Sequence, residues 1–116
     1  AEGAVQTLAS STDGGNVFAR AATDREGRVW VTWQSHRGRL GDIYCRHFDP
    51  LEKVWSREIQ VTDQAYGDWE PCLAFDHQDG AWILYDSSEG NEFNIYAQRV
   101  QRNSLVGERQ RLIHTD

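Results

Sequence analysis

Short apolar segments of five to nine residues, separated by polar turns, follow one another from residue 17 to residue 114. Segments of this length bounded by Asp and Gly are typical of β-strands. In segment 29–34, Val31 and Trp33 point to one side and Trp30 to the other, so both faces are apolar and the strand is expected inside stacked sheets. We predict an all-β protein with strands at 17–23, 29–34, 43–48, 54–61, 71–75, 82–86, 95–100 and 106–114.

The second half of the chain repeats the first. A shift of 52 residues aligns residues 15–48 with residues 67–100 without a gap. Each copy then holds four predicted strands, and the fourth is the most polar, as expected for an outer edge strand. The identical pairs are Gly15 with Gly67, Ala22 with Ala74, Asp24 with Asp76, Trp30 with Trp82, Ser35 with Ser87, Gly38 with Gly90, Ile43 with Ile95 and Tyr44 with Tyr96.

Four antiparallel strands in roughly 50 residues, with apolar inner strands and a polar outer one, are typical of a β-propeller blade. The string D-x-x-G-x-x-W-V-x-W, followed by S-x-x-G-x-x-x-D/N-I-Y, resembles the sialidase-like propeller repeats of secreted bacterial proteins, as does NIYAQRV at 94–100. The segment 48–56 is similar to a degenerate Asp-box that keeps Asp49 and Trp55. The resemblance implies two propeller blades and a secreted or periplasmic location.

The predicted organisation is a leading strand at 1–14, a first blade at 15–66 and a second blade at 67–116. Propellers close with about four blades or more, so two blades would leave apolar faces uncovered. We expect either that several copies assemble head to tail into a ring, or that the chain is a fragment of a longer propeller. Segment 4–10 resembles the outer strand of a preceding blade, and in a ring it would compete with 106–114 for one position.

Charge and composition exclude several kinds of partner. The formal net charge of −6 argues against nonspecific binding to nucleic acid or to anionic membranes. Cys45 and Cys72 fall in unlike strands, and we expect free thiols rather than a disulfide. Asp24, Asp76 and Asp79 lack the spacing of a calcium loop and are interpreted as hairpin-turn residues. We therefore expect no metal and no cofactor.

Four loops, at 34–42, 86–94, 11–16 and 63–71, would open on the same face of a propeller. The last one carries aromatic side chains beside carboxylates, a combination that stacks on sugar rings and binds their hydroxyl groups. We predict a carbohydrate site in this group of loops; the alternative is that Trp69 packs between the blades. The candidate ligand-binding residues are Trp69, Tyr66, Asp68, Glu70, His36, Arg37 and Asp86.

The loop 34–42 is basic where its counterpart 86–94 is acidic. In a ring of alternating blades each basic loop would lie beside acidic ones, which would favour the correct order of the blades. The alternative is that these charges are only solvated.

An enzyme of the sialidase type is the other class considered. Such an enzyme needs an arginine cluster, a tyrosine nucleophile with a glutamate partner, and an aspartic acid. No motif groups residues of these types, and the F/Y-R-I-P segment of sialidases is missing. We predict a non-catalytic unit, with a fragment of a sialidase-like glycoside hydrolase as the alternative. The candidates in that case are Arg20 or Arg37, Tyr66, Glu70 and Asp68.

Overall fold

The structure is a computed structural model that describes residue 8 and residues 15–37, 40–63, 66–89 and 92–114. Every regular element in these residues is a β-strand, which confirms the all-β class. The strands are β1 (Asn16–Thr23), β2 (Val29–Ser35), β3 (Asp42–Asp49), β4 (Val54–Trp55), β5 (Ile59–Gln60), β6 (Asp68–Phe75), β7 (Ala81–Ser87), β8 (Asn94–Gln101) and β9 (Ser104–His114).

The strands form two antiparallel sheets, one for each copy of the repeat. Sheet A has the order β1-β2-β3-β4, with β5 also paired to β3, and sheet B has the order β6-β7-β8-β9. Within each sheet, strands that follow one another in the sequence therefore lie side by side, apart from β4 and β5, which both pair with β3. This agreement makes the repeat a unit of structure as well as of sequence.

The outer strand of sheet A is interrupted, whereas the sequence predicted one strand at 54–61. Strands β4 and β5 pair with opposite ends of β3. Between them, the Ser56 hydroxyl donates to the carbonyl of Arg57 at 2.9 Å, and the Arg46 guanidinium donates to the carbonyl of Ser56 at 2.7 Å. These local side-chain bonds compete with the sheet ladder, and the strand breaks there.

Strand β6 begins at Asp68 rather than at the predicted residue 71, so Asp68, Trp69 and Glu70 lie in a strand and not in a loop. Pro71 favours a later start, because proline cannot donate to a sheet ladder. A β-bulge between Trp69 and Cys72 accommodates the proline, with Glu70 at a φ of 52°. Bulges are among the few places where a sheet accepts proline.

The same bulge occurs in β1, which supports the repeat at the level of the backbone. The pairing of β1 with β2 shifts between Val17 and Arg20, and Phe18, 52 residues before Glu70, has a φ of 55°. The hairpin turns match as well, because each is held by an aspartate. The indole Nε1 of Trp30 donates to Asp24, and that of Trp82 donates to Asp76, both at 2.9 Å.

One face of sheet A packs on one face of sheet B, and this contact region is here called the junction. Each sheet has a second face, called outer face A and outer face B. Outer face A carries Val31, Trp33 and Tyr44, with Leu8 and Trp55 packed against them. Outer face B carries Trp82, Leu84, Asp86 and Ile95, which are half-buried. The junction contains Trp30, Ile43, Cys45, Ile59 and Val61 from sheet A, and Ala81, Ile83, Tyr85, Tyr96 and Val100 from sheet B.

Candidate functional site

The two sheets stack head to tail. Ile43 lies at the junction, and its repeat counterpart Ile95 lies on outer face B. Conversely, Tyr96 lies at the junction, and its counterpart Tyr44 lies on outer face A. Outer face B therefore repeats the surface by which sheet A contacts sheet B, and outer face A repeats the surface that receives it.

Arg109 on β9 is the centre of a polar cluster beside the junction. Its Nη2 donates to the Tyr66 hydroxyl and lies 3.6 Å from a carboxylate oxygen of Glu89. Its Cζ lies 3.8 Å from the ring centroid of Tyr96, whose hydroxyl donates to Glu89. Burial alone would lower the pKa of Arg109, but its hydrogen bonds with Tyr85 and Tyr66 outweigh burial and raise the pKa above its usual value. The guanidinium therefore stays charged.

Asp68 is 0% exposed. Neither of its carboxylate oxygens makes a hydrogen bond of good geometry with a residue that the structure describes. Burial raises the pKa of Asp68 to about 6, although the Ser87 and Thr62 hydroxyls and the charge of Arg109 act in the opposite direction. The carboxylate of Asp42 adds to the increase. Asp68 is thus ionised at neutral pH at a considerable cost in free energy.

A pocket of about 380 Å³ opens next to this cluster. Its lining combines carboxylates, a guanidinium, aromatic and aliphatic side chains, a mixture that suits a small hydroxylated molecule. The residues that line it are Val61, Asp63, Tyr85, Gln98, Leu105, Glu108 and Arg109.

Hydrogen bonds at one edge of the junction join the two sheets directly. The side-chain oxygen of Gln34 accepts from the backbone N–H of Glu70 at 3.1 Å, and the Gln34 amide nitrogen lies 2.7 Å from Nε2 of His36. The backbone N–H of Asp68 donates to the carbonyl of Gly41 at 3.0 Å. A Cβ at Gly41 would lie 3.1 Å from the Asp68 carbonyl oxygen, so glycine permits this close approach.

Trp69, Glu70 and Asp86 lie at the corresponding end of outer face B. The Trp69 indole folds over Gly67, where a Cβ would lie 2.8 Å from Cζ2, and its ring centroid is 6.3 Å from that of Phe93. Asp86 is the cross-strand neighbour of Trp69, and its pKa is raised by burial and by the charge of Glu70. A depression of about 200 Å³ beside them is lined by Glu70, Cys72, Leu84, Tyr85, Asp86 and Ile95.

Arg37 belongs to outer face A. It forms an ion pair with Glu58 at 2.6 Å, and its Cζ lies 3.9 Å from the Tyr44 ring centroid. On the same face, Arg46 donates to the carbonyl of Leu8. Outer face A therefore carries two arginines, one of them paired with Glu58, whereas Glu70 and Asp86 stand at the edge of outer face B.

The predicted ligand-binding residues thus lie in three places. Tyr66, Asp68 and His36 are at the junction. Trp69, Glu70 and Asp86 are on outer face B, and Arg37 is on outer face A. Glycan binding by these residues stays a prediction.

Sequence reasoning missed Gln34, Tyr85 and Arg109 as members of the junction. Arg109 was hidden because the outer strand reads as solvated charge, and its position depends on two irregularities in the pairing of β8 with β9. Tyr85 had a usable signal, since its repeat counterpart is the equally aromatic Trp33. For Gln34, only the tertiary contact with Glu70 reveals a role.

No protein-family model, curated protein or solved structure matches the chain. Among the described residues, no group of three or more His, Cys, Asp or Glu side chains is placed to hold a metal ion. The described part of the chain also contains no helix long and apolar enough to cross a membrane. Cys45 and Cys72 are free thiols, and burial raises the pKa of Cys45 to about 12, which keeps that thiol unreactive.

Proposed function

We propose that the chain is a two-blade β-propeller unit that assembles head to tail with further copies of itself. In this assembly, outer face B of one copy packs on outer face A of the next. The observation that carries the proposal is that each outer face repeats one side of the junction. A contact between two different faces of the same chain propagates, and it closes into a ring when its rotation fits the circle. The resemblance to sialidase-like repeats supports a propeller as that ring.

The side chains on outer face B support the contact. Trp82 and Ile95 are half-buried, while their identical counterparts Trp30 and Ile43 are at most 1% exposed at the junction. Completing the burial of such a side chain contributes roughly 1 kcal/mol. The same Trp and Ile recur on outer face B and on the sheet A side of the junction, so a similar packing of these two side chains is available between copies.

Leu8 occupies the part of outer face A that a neighbouring copy would contact. It packs against the cluster of Val31, Trp33 and Tyr44, much as Ile59 and Val61 pack against the sheet B side of the junction. A neighbouring copy would bring its own outer strand to this place. We therefore expect the contact of Leu8 with this cluster to change when copies assemble.

Two variants that each block one face test the proposal. Ala21 is exposed on β1 opposite Val31, so Ala21→Glu places a charge on outer face A, and Leu84→Glu does the same on outer face B. Light scattering should show wild-type particles larger than the 13.3 kDa chain and a monomer for each variant alone. An equimolar mixture should form a 1:1 dimer, because one intact face of each kind remains.

The control is Leu51→Glu, which adds the same charge in a turn where Leu51 is 90% exposed, and it should assemble like the wild type. A wild type that stays monomeric at every concentration would rule out self-assembly and favour a fragment of a longer propeller. If one face variant still dimerises alone, the contact joins two identical faces instead.

Carbohydrate binding is a second candidate, favoured by one observation. Phe93 is 63% exposed and lies against Trp69, with the carboxylates of Glu70 and Asp86 nearby. An exposed aromatic pair beside carboxylates suits a sugar ring and its hydroxyl groups.

On a glycan array, Trp69→Ala and Phe93→Ala should each reduce binding about tenfold or more. Leu51→Ala removes another exposed apolar side chain, in a turn outside this site, and is the control. Binding that survives both substitutions would place the site elsewhere, for example in the 380 Å³ pocket. If the wild type binds no glycan, this candidate is removed.

A further inference from the structure

The hydrogen bond between Gln34 and Glu70 joins the two sheets at the junction. Gln34 is 4% exposed, and its side-chain oxygen accepts the backbone N–H of Glu70 at 3.1 Å. That N–H points across to the other sheet because Glu70 occupies the β-bulge with a φ of 52°. A bulge leaves a residue outside its own ladder, which frees its backbone N–H for a partner.

The repeat provides the same two parts on the outer faces. The counterpart of Glu70 is Phe18, in the equivalent bulge with a φ of 55°. The counterpart of Gln34 is Asp86, half-buried on outer face B. Asp86 has carboxylate oxygens, which accept hydrogen bonds as the Gln34 amide oxygen does, and a charged acceptor makes the bond stronger.

At a second pair of repeat positions the acid lies in the junction and the amide lies on an outer face, the reverse of Gln34 and Asp86. The amide Gln34 and the acid Asp68 lie on opposite sheets of the junction, and the corresponding outer positions hold the acid Asp86 and the amide Asn16. Asn16 accepts a bond from Ser35 at 2.7 Å and is the cross-strand partner of that serine, as Asp68 is of Ser87. A contact between copies would therefore again hold one acid and one amide.

The charges on the outer faces also distinguish a head-to-tail contact from a symmetric one. Two copies meeting through outer face B would bring Asp86 and Glu70 of both chains together, and like charges at an interface are repulsive. Outer face A instead carries Arg46 and the ion pair of Arg37 with Glu58. The repulsion between two outer faces B disfavours the symmetric contact and so favours the head-to-tail contact.

We propose that the Asp86 carboxylate of one copy accepts a hydrogen bond from the Phe18 backbone N–H of the next copy, and that the Asp86 and Asn16 pair selects the head-to-tail contact. This inference rests on the proposed self-assembly and names the contact that makes the assembly head to tail. The partner is a second copy of this chain, bound through its β1 bulge.

The first test compares substitutions at Asp86 by sedimentation velocity over a range of protein concentrations. Asp86→Leu removes the acceptor, leaves the Phe18 N–H unpaired, and should weaken association about 10- to 100-fold. Asp86→Asn keeps an acceptor oxygen but loses the charge, so it should weaken association about 3- to 10-fold, less than Asp86→Leu. Asp79→Asn removes one negative charge from an exposed turn and should have no effect.

The second test exchanges the acid and the amide. Asn16→Asp alone places two carboxylates in one contact and should weaken association about tenfold. Adding Asp86→Gln to that variant recreates the combination of Gln34 and Asp68 and should restore association. Thermal unfolding of each variant, measured on dilute monomer, checks that the fold is intact.

The outcomes separate the inference from the proposed function. A monomeric wild type removes both. If the wild type assembles and Asp86→Leu associates as tightly, self-assembly stands but Asp86 has no part in it. Equal weakening by Asp86→Asn and Asp86→Leu would mean that charge, not the hydrogen bond, matters, and a double variant that fails to recover would overturn the paired selection.

Discussion

Asp68→Asn is expected to stabilise the folded chain at neutral pH by about 1–3 kcal/mol. Asp68 is fully buried, and burial raises its pKa from 3.8 to about 6, so the native state carries an unfavourable charge at pH 7. A shift of about two pKa units corresponds to a few kcal/mol at most. The repeat already tolerates the amide, because the counterpart of Asp68 is Asn16, which accepts a bond from Ser35 at 2.7 Å.

The effect should depend on pH in a defined direction. The folded chain keeps the Asp68 proton up to about pH 6, whereas the unfolded chain loses it near pH 3.8. The stability that Asp68 contributes is therefore fully present below pH 3.8 and is lost as the pH rises through 6. Urea unfolding from about pH 4 to about pH 8 should show a small difference from Asp68→Asn at the acidic end and the full difference above the native pKa.

Asp79→Asn is the matched control, since it removes a carboxylate from an exposed turn. Its difference from the wild type should be small at every pH. A constant advantage of Asp68→Asn across the whole range would show that the ionisation of Asp68 is not the cause. A loss of stability at pH 7 would mean that the carboxylate has a partner that compensates its burial.

Ile43→Ala and Ile95→Ala are expected to affect the protein in different ways, although the two residues are identical members of the repeat. Ile43 is 0% exposed at the junction, so its truncation should cost about 2–5 kcal/mol of unfolding free energy. Ile95 is half-buried on outer face B, so Ile95→Ala should cost only about 1 kcal/mol in the isolated chain. Urea unfolding of dilute monomer measures both values.

For association between copies, Ile95→Ala rather than Ile43→Ala should have the larger effect. Ile95→Ala removes apolar area from the proposed contact and should weaken assembly in sedimentation experiments about fivefold or more. Equal costs of unfolding for the two variants in the monomer would contradict the assignment of Ile95 to an outer face. An unaltered association constant for Ile95→Ala would argue against outer face B as the contact.

The repeat made much of this fold predictable. Identical spacing placed the hairpin aspartates Asp24 and Asp76 correctly, and their carboxylates accept the indole N–H of the tryptophan six residues later. The bounds of individual strands were less predictable. The proline at 71 hid the start of β6, and the local bonds of Ser56 divide the expected strand 54–61.

The candidate site residues were likewise predictable only in part. The sequence placed aromatic and acidic residues in one group of loops, but strand alternation sends Asp68 to the junction and Asp86 to outer face B. Neighbours along a strand point to opposite faces, so a shift in where a strand begins changes which face a residue occupies. Arg109 came into the cluster through the register of β9, which is irregular at two places and is not encoded in any local pattern.

By itself, the sequence determined that the chain is all-β, that it contains two copies of one four-stranded unit, and that the inner strands have two apolar faces. Only the tertiary structure decided that unlike faces of the two copies meet, because a period of two distinguishes the faces of a strand but not the sheet that each face contacts. It also decided that Asp68 is buried, since the desolvation of a carboxyl group depends on neighbours distant in the sequence.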